Sequence, residues 1–238
     1  MGRAHEVRKA SMEKTAAMKS AIYGRASKEI YMAAKAGSKD PEANLALRSA
    51  IDKAKSKQVP ADVIQRAIKK AEGGDADNYS SNRYEGYGPG NAMIIVDSLT
   101  NNVNRAIAEI RDAFNKNGGK IANSGAVSHS FQATSIFAFE EKTVEEILEI
   151  LMEAECEVND VVDEDEMTVV YAPFQSFNAV KKALDLAGIN EYKMAETTML
   201  ADEMTTINEL EEMVKFEKLI DKLNELEDVQ DIYHNVNI

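Results

Sequence analysis

Between residues 83 and 131 the pattern of apolar positions predicts a Gly/Pro turn, a buried strand, an amphipathic helix and a second strand. The run Ala92–Val96 is short, apolar and rich in β-branched residues, and turn residues bound it on both sides. Asn101 and Asn102 can cap the helix that follows, and Gly118 permits the left-handed turn that ends it. One helical stripe contains Val103, Ala106, Ile107, Ile110, Ala113 and Phe114.

The first 72 residues predict helices throughout, because they are rich in Ala, Lys, Arg, Met and Glu. Asp40 and Pro41 predict the start of a second helix, as its cap and its first helical residue, and this helix should run to about Lys57. Pro60 begins a third helix that ends at Gly73. Residues 73–83 lack periodicity and contain many turn formers, so they are the predicted linker.

After Phe131 the apolar pattern predicts the order β-α-β-β-α-β, which is typical of a ferredoxin-like fold. Thr143 and Glu146 form a capping box at the start of the first of these helices. The predicted strands are Ile136–Phe139, Glu157–Val162, Met167–Tyr171 and Glu191–Leu200. The tail adds an acidic amphipathic helix and a strand over Val229–Val236, which the earlier strand-helix-strand unit needs to close its core.

These elements predict an α+β protein with an N-terminal helical domain followed by two ferredoxin-like α+β domains, one inserted in the other. The predicted domains are a basic helical domain over 1–76, a discontinuous α+β domain over 84–133 and 203–238, and an inserted ferredoxin-like domain over 134–202.

The charge of the chain changes sign at the predicted linker after residue 72. The whole sequence has a formal net charge of −13, but residues 1–72 hold 16 basic against 8 acidic residues, a net of +8, which leaves −21 on the remainder. A basic segment in an otherwise acidic protein favours a polyanionic partner such as nucleic acid. The predicted nucleic-acid-binding residues are Arg3, Arg8, Lys9, Lys14, Lys19, Arg25, Lys28, Lys35, Lys55, Lys57, Arg66, Lys69 and Lys70, with Tyr84 and Tyr87 as stacking candidates.

The segment RYEGYGPGNAMIIVDSLTNNVNRAIAEIRDAFNKNGGKIANSGAVSHSF and the ending DIYHNVNI closely resemble the YebC/PmpR-like family, and the resemblance covers nearly the whole chain. Members of this family are described both as DNA-binding transcriptional regulators and as ribosome-associated translation factors. The resemblance therefore implies a nucleic-acid partner, DNA or the rRNA and tRNA of the ribosome, and no nucleotide cofactor.

No residue pattern predicts catalysis, a cofactor or a metal. The glycines of Gly86–Gly90 precede a strand and no Gly-Lys-Ser/Thr follows them, which argues against a phosphate loop. His129 falls in the second predicted strand and would neighbour His234 if their strands pair, but strand alternation turns His129 away from the serines beside it. The three histidines and the single Cys156 lack ligand-like spacing, so we expect a protein that is not an enzyme.

Three functions fit this sequence. The first is a DNA-binding transcriptional regulatory protein. The second is a ribosome-associated factor that contacts rRNA or tRNA and relieves stalls, which the scarcity of base-reading motifs favours. The third is a protein- or metabolite-binding sensor, in which the acidic α+β domains bind the partner. The chain has neither a membrane-spanning run nor a signal-peptide pattern, which predicts a cytoplasmic protein.

Overall fold

The structure, a computed structural model, describes residues 3–73, 78–164 and 166–237, with the backbone alone for 3–18 and for Ser56. Its helices are α1 Arg3–Ala36, α2 Leu45–Ser56, α3 Ala61–Lys70, α4 Val103–Lys116, α5 Val144–Glu153, α6 Phe177–Leu186 and α7 Leu210–Glu225. Its strands are β1 Ser80–Tyr87, β2 Met93–Thr100, β3 Lys120–Ile121, β4 Phe131–Phe139, β5 Asp160–Glu164, β6 Met167–Pro173, β7 Met194–Ala201 and β8 Val229–His234.

The Cα positions divide the chain into two compact units, Met1–Val127 with Thr205–Ile238, and Ser128–Met204. The predicted α+β class is confirmed, with one four-stranded antiparallel sheet in each unit. Helices α1 to α3 belong to the same unit as the first sheet, and the finer division into three domains stays a prediction.

Helices α1, α2 and α3 pack around a small apolar core of their own, which includes Ile30, Leu47, Ile51, Ala54 and Ile64. Helix α2 begins four residues later than predicted, at Leu45, so the prediction of an Asp40 cap is wrong. Asp40 instead accepts a hydrogen bond from the Glu42 N–H in a turn, while the Asn44 side chain caps α2 through the Leu47 N–H. Both residue types can cap a helix, so local pattern alone does not choose between them.

The first sheet has the strand order β3-β1-β2-β8, and α4 and α7 pack on one of its faces. The segment before Gly88 is a full strand paired with β2, so the predicted turn over residues 83–90 and the linker over 73–83 are both too long. Strand β1 takes the central place that completes the four-stranded sheet. A residue with a side chain would not fit at position 86 of this strand, because an added Cβ would stand 2.6 Å from the Phe114 ring and 2.7 Å from the Lys120 carbonyl oxygen. Gly86 avoids both contacts.

The predicted second strand, which contains His129, is also wrong. Only Lys120–Ile121 pair with β1, and Ser128–Ser130 form one turn of 3-10 helix. Strand β4 then begins at Phe131, five residues before the predicted start. Hydrogen bonds to the Glu85 carboxylate hold the loop between β3 and the 3-10 turn.

The second unit confirms the predicted order β-α-β-β-α-β. Its strand order β5-β6-β4-β7 is the ferredoxin-like arrangement, and α5 and α6 pack on the face that carries Phe137, Phe139 and Val170. Thr143 and Glu146 form the predicted capping box, with the Thr143 N–H donating to the Glu146 carboxylate over 2.9 Å. In the part of the chain that the structure describes, no helix is long and apolar enough to cross a membrane.

Candidate nucleic-acid interface

The predicted basic residues divide into three groups. The side chains of Arg3, Arg8, Lys9 and Lys14 lie outside the described part of the chain. Two others bind acceptors within the first unit, where Arg25 is half-buried and Lys28 is buried. The remaining cations are exposed on α1, α2 and α3 or in the turns that follow them, namely Lys19, Lys35, Lys55, Lys57, Arg66, Lys69 and Lys70.

Lys28 is buried rather than exposed, so the structure does not support it as a phosphate ligand. Its ammonium lies 2.9 Å from Asp228 Oδ1 and donates to the Glu227 carbonyl oxygen over 3.0 Å. The exposed fractions of the two paired side chains are only 8% for Lys28 and 3% for Asp228. The ammonium also lies 5.7 Å from the centre of the Tyr79 ring. Lys28 therefore fixes α1 to the segment between α7 and β8.

Asp228 is the centre of this ionic cluster. Its second carboxylate oxygen accepts from the Arg105 guanidinium over 2.7 Å and from the Thr100 hydroxyl over 2.9 Å. Burial by itself raises the pKa of the Asp228 carboxyl, but the hydrogen bonds from Lys28, Arg105 and Thr100 outweigh burial, so its pKa is lowered. The carboxylate thus stays charged and fully hydrogen-bonded inside the unit.

Arg25 lies one turn before Lys28 and makes the same kind of contact. It donates to the Asn224 carbonyl oxygen over 2.6 Å, and burial lowers the pKa of its guanidinium, an effect that Asp231 partly offsets. Arg25 and Gln230 line a cavity of about 40 Å³, and each has a buried nitrogen without an acceptor among the described residues. The structure thus does not support Arg25 as part of an exposed basic face.

Lys53, which the sequence analysis did not select, completes the attachment of the helices. It lies 3.3 Å from Glu29 and 3.5 Å from Asp231 on β8. Burial alone would lower the pKa of Lys53, but the two carboxylates raise it. An acidic pair on other elements is not visible from the sequence around Lys53, so no local signal marked this residue.

Two exposed lysines converge on one aromatic ring. The ammonium of Lys35, near the end of α1, lies 5.5 Å from the centre of the Tyr31 ring, and that of Lys70, at the end of α3, lies 5.7 Å from the same centre. The two nitrogens can be no farther apart than the sum of these distances. Tyr31 is buried and makes an edge contact with Tyr79. A fixed ring therefore brings together cations from two helices, which we call the Tyr31 lysine cluster.

Other exposed cations are partly neutralised within their own helices. Arg66 donates to the Asp62 carboxylate one turn earlier over 2.6 Å, and Lys55 lies 3.9 Å from Asp52. Exposed pairs of this kind are weak and exchange readily with solvent ions, so both side chains can still contact a phosphate. Lys19, Lys57 and Lys69 are exposed and have no ion pair among the described residues.

The two stacking candidates differ in exposure. Tyr84 is half-buried and packs against the core formed by α4, α7 and the first sheet. Tyr87 is exposed, and its hydroxyl donates to the Ala126 carbonyl oxygen over 3.1 Å, which leaves its ring at the surface. Stacking by Tyr87 on a base stays a prediction, while the position of Tyr84 makes packing its main role.

Glu85 organises the loop beside Tyr87, although the sequence analysis did not select it. Its buried carboxylate accepts from the Gly125 N–H over 2.8 Å and from the Val127 N–H over 2.7 Å. No local sequence signal marks Glu85, because the amides that it binds lie about 40 residues away along the chain. The loop 122–127 is therefore held across one face of the first sheet by a buried negative charge.

The two histidines whose side chains the structure describes lie in different elements. His129 lies in a 3-10 turn, and His234 ends β8, which pairs with β2. Burial lowers the pKa of His234, whose ring makes an edge contact with Phe216. Among the described residues, no group of three or more His, Cys, Asp or Glu side chains is arranged to hold a metal ion.

Comparisons with known proteins match both parts of the chain. Residues 3–74 match the model of the TACO1/YebC protein N-terminal domain, and residues 79–236 match the TACO1/YebC second and third domain. The chain is 60% identical to a protein of Mesoplasma florum and 56% identical to one of Mycoplasma capricolum, each alignment covering 100% of both chains. Both relatives are named probable transcriptional regulatory proteins.

A solved structure supports the same assignment. The crystal structure of the conserved hypothetical protein Aq1575 from Aquifex aeolicus matches with a TM-score of 0.76 and 32% identity, over 92% of this chain and 90% of that one. The family matches, the relatives and the shared fold together show that this chain belongs to the TACO1/YebC family.

Proposed function

We propose that this protein is a regulator of gene expression that binds nucleic acid through the exposed cations of α1, α2 and α3. The first candidate function is that of a DNA-binding transcriptional regulatory protein. The observation that carries the proposal is the Tyr31 lysine cluster, in which Lys35 of α1 and Lys70 of α3 both lie within 6 Å of the centre of one aromatic ring, at 5.5 and 5.7 Å. Two relatives named probable transcriptional regulatory proteins support the regulatory role.

The binding would depend mainly on phosphate contacts. The exposed polar side chains at the helix ends are mostly lysines, which act as point charges and carry little base-reading geometry. Neutralisation of phosphates releases counterions, so affinity should fall steeply with salt. Arg25 and Lys28 are left out of the interface because they hold α1 to the α7–β8 segment.

The test compares two double variants by fluorescence anisotropy on a labelled 20-base-pair duplex at several salt concentrations. Lys35→Gln/Lys70→Gln should reduce the slope of log affinity against log salt by about 2, because about one phosphate contact is lost per lysine. Lys116→Gln/Lys222→Gln is the matched control, since it removes two exposed lysines of α4 and α7 that pair within their own helices. An equal loss in both variants would refute the proposed interface.

The second candidate is a ribosome-associated factor that contacts rRNA or tRNA, and the dominance of lysine over base-reading side chains favours it. The two candidates predict different results. A transcriptional regulator should prefer its own promoter over scrambled DNA by about a thousandfold or more at physiological salt. A ribosome-associated factor should co-sediment with ribosomal particles in a sucrose gradient, and Lys35→Gln/Lys70→Gln should release it to the top.

A further inference from the structure

Helix α5 is unusual in its charge. Its ten residues contain four glutamates, Glu145, Glu146, Glu149 and Glu153, and no cation. All four are exposed, and none lies within ion-pair distance of a Lys or Arg in the described residues. Glu146 is explained by its role in the capping box. The other three recur at i, i+4 and i+8, a spacing at which like charges repel each other and destabilise a helix.

Two long apolar side chains lie between these carboxylates on the outer face. Leu148 is 37% exposed and Met152 is 76% exposed. Together with Glu145 and Glu149 they occupy positions i, i+3, i+4 and i+7, which is one stripe along the helix. The inner face is used separately, because Ile147 and Leu151 are buried in the core of the second unit. We call Glu145, Leu148, Glu149 and Met152 the α5 stripe.

Helix α7 provides an internal comparison. It also exposes an apolar pair one turn apart, Leu210 and Val214. Its five acidic residues, however, are partly balanced by three lysines, and Glu211 pairs with Lys215 over 2.9 Å, as does Glu225 with Lys222. The α5 stripe therefore differs from an ordinary solvated helix face by its lack of internal neutralisation, and not by its exposed apolar residues alone.

We propose that the α5 stripe binds a Lys/Arg-rich amphipathic segment of a partner protein. Leu148 and Met152 would contact apolar side chains of that segment, and the unpaired glutamates would face its cations, which relieves their mutual repulsion. Nucleic acid is excluded as the occupant, because residues 128–204 hold 18 acidic against 4 basic residues. This surface goes beyond the proposed nucleic-acid binding and does not depend on it.

The probe is a fluorescein-labelled 14-residue helical peptide of Leu and Lys with one apolar face, titrated with the full chain at 150 mM salt. Leu148→Ser/Met152→Ser should weaken its binding by about tenfold or more, because the apolar anchors of the interface are lost. Leu210→Ser/Val214→Ser is the matched control on α7 and should change affinity less than about twofold. All four side chains are exposed, so circular dichroism should show both variants folded.

A charge variant tests the other half of the surface. Glu145→Gln/Glu149→Gln should weaken binding and flatten its salt dependence, whereas Glu211→Gln/Glu212→Gln on α7 should not. Two outcomes overturn the proposal. One is equal loss in the α5 and α7 variants, which would mean that the peptide senses only net charge. The other is self-association in sedimentation velocity that Leu148→Ser/Met152→Ser abolishes, which would make a second copy of this chain the occupant.

Discussion

The ammonium of Lys28 on α1 lies 2.9 Å from the carboxylate of Asp228, and both side chains are almost fully buried. Asp228 also accepts from Arg105 and Thr100, so a single carboxylate joins α1, the end of β2 and the start of α4. A buried ion pair of this kind contributes little net stability over an apolar pair, but removal of one partner strands a charge in the interior.

Asp228→Asn should lower the free energy of unfolding of the first unit by about 3–5 kcal/mol, because the Lys28 ammonium would remain buried without its counter-charge. Urea denaturation followed by circular dichroism measures this change. The control is Asp97→Asn, which removes the partner of the exposed Arg83 and should cost less than about 1 kcal/mol. Equal costs would show that Asp228 is not the centre of a buried cluster.

Lys28→Gln should affect the stability of the fold, whereas Lys70→Gln should affect nucleic-acid binding. Lys28→Gln should destabilise the fold by about 3 kcal/mol or more and leave the nucleic-acid affinity of the folded protein unchanged, because its ammonium faces inward. Lys70→Gln should change stability by less than about 0.5 kcal/mol and reduce the salt dependence of binding by about one ion. Thermal unfolding and anisotropy on the same samples separate the two roles, and a loss of affinity in folded Lys28→Gln would contradict this assignment.

His234 predicts a pH dependence. Because burial lowers the pKa of His234 in the folded state, the unfolded chain binds more protons near its usual pKa of about 6.5. Stability should therefore fall as pH decreases below about 6.5, and the loss should continue down to the folded-state pKa. His234→Phe keeps an aromatic ring beside Phe216 and should flatten the slope between about pH 6.5 and 5 in urea denaturation. An unchanged slope would assign the dependence to other groups.

Glu85→Gln should loosen the loop 122–127. A neutral amide offers one acceptor oxygen where the carboxylate offers two, so either the Gly125 or the Val127 N–H loses its partner. We expect a cost of about 1–3 kcal/mol and faster hydrogen exchange at these two amides, measured by mass spectrometry or NMR. Glu109→Gln, an exposed position on α4, is the control and should leave exchange in this loop unchanged.

Two glycines predict opposite effects of an added methyl group. Gly86→Ala would force Cβ against the Phe114 ring and the Lys120 carbonyl oxygen, and should cost about 1–3 kcal/mol or more. Gly24→Ala in the middle of α1 meets nothing within 4 Å and should stabilise the protein by about 0.5–1 kcal/mol through helix propensity. Melting temperatures check both changes, and a stabilising Gly86→Ala would contradict the close contact.

The elements that depend only on neighbouring residues were predicted well from the sequence. The apolar stripe of α4 is confirmed from Ala106 to Phe114, although its predicted first member, Val103, is exposed. The Asn102 cap is confirmed too, with the side chain accepting from the Arg105 N–H over 3.0 Å. The Thr143 capping box of α5 is confirmed as well. Such features depend on residues within one or two turns of each other, so the sequence carries all the information they need.

Elements that depend on distant partners were predicted less well. Strand β1 lacks a regular apolar pattern, because it pairs with β2 and β3 and carries the buried Glu85 and Gly86 among polar residues. The segment before Phe131 is turn-forming in the structure because Glu85 binds two of its amides from another strand. Neither contact can be inferred from neighbouring residues.

The sequence by itself determined the family, the α+β class, the order of most elements and the charge split between a basic helical part and an acidic remainder, since these depend on composition, periodicity and local capping. Only the tertiary structure decided which cations serve the fold and which stay at the surface. Arg25, Lys28 and Lys35 are all cations of α1. Carbonyl and carboxylate groups of the segment 224–231 bind Arg25 and Lys28, whereas Lys35 remains exposed beside Tyr31. The difference lies in acceptors about 200 residues away along the chain.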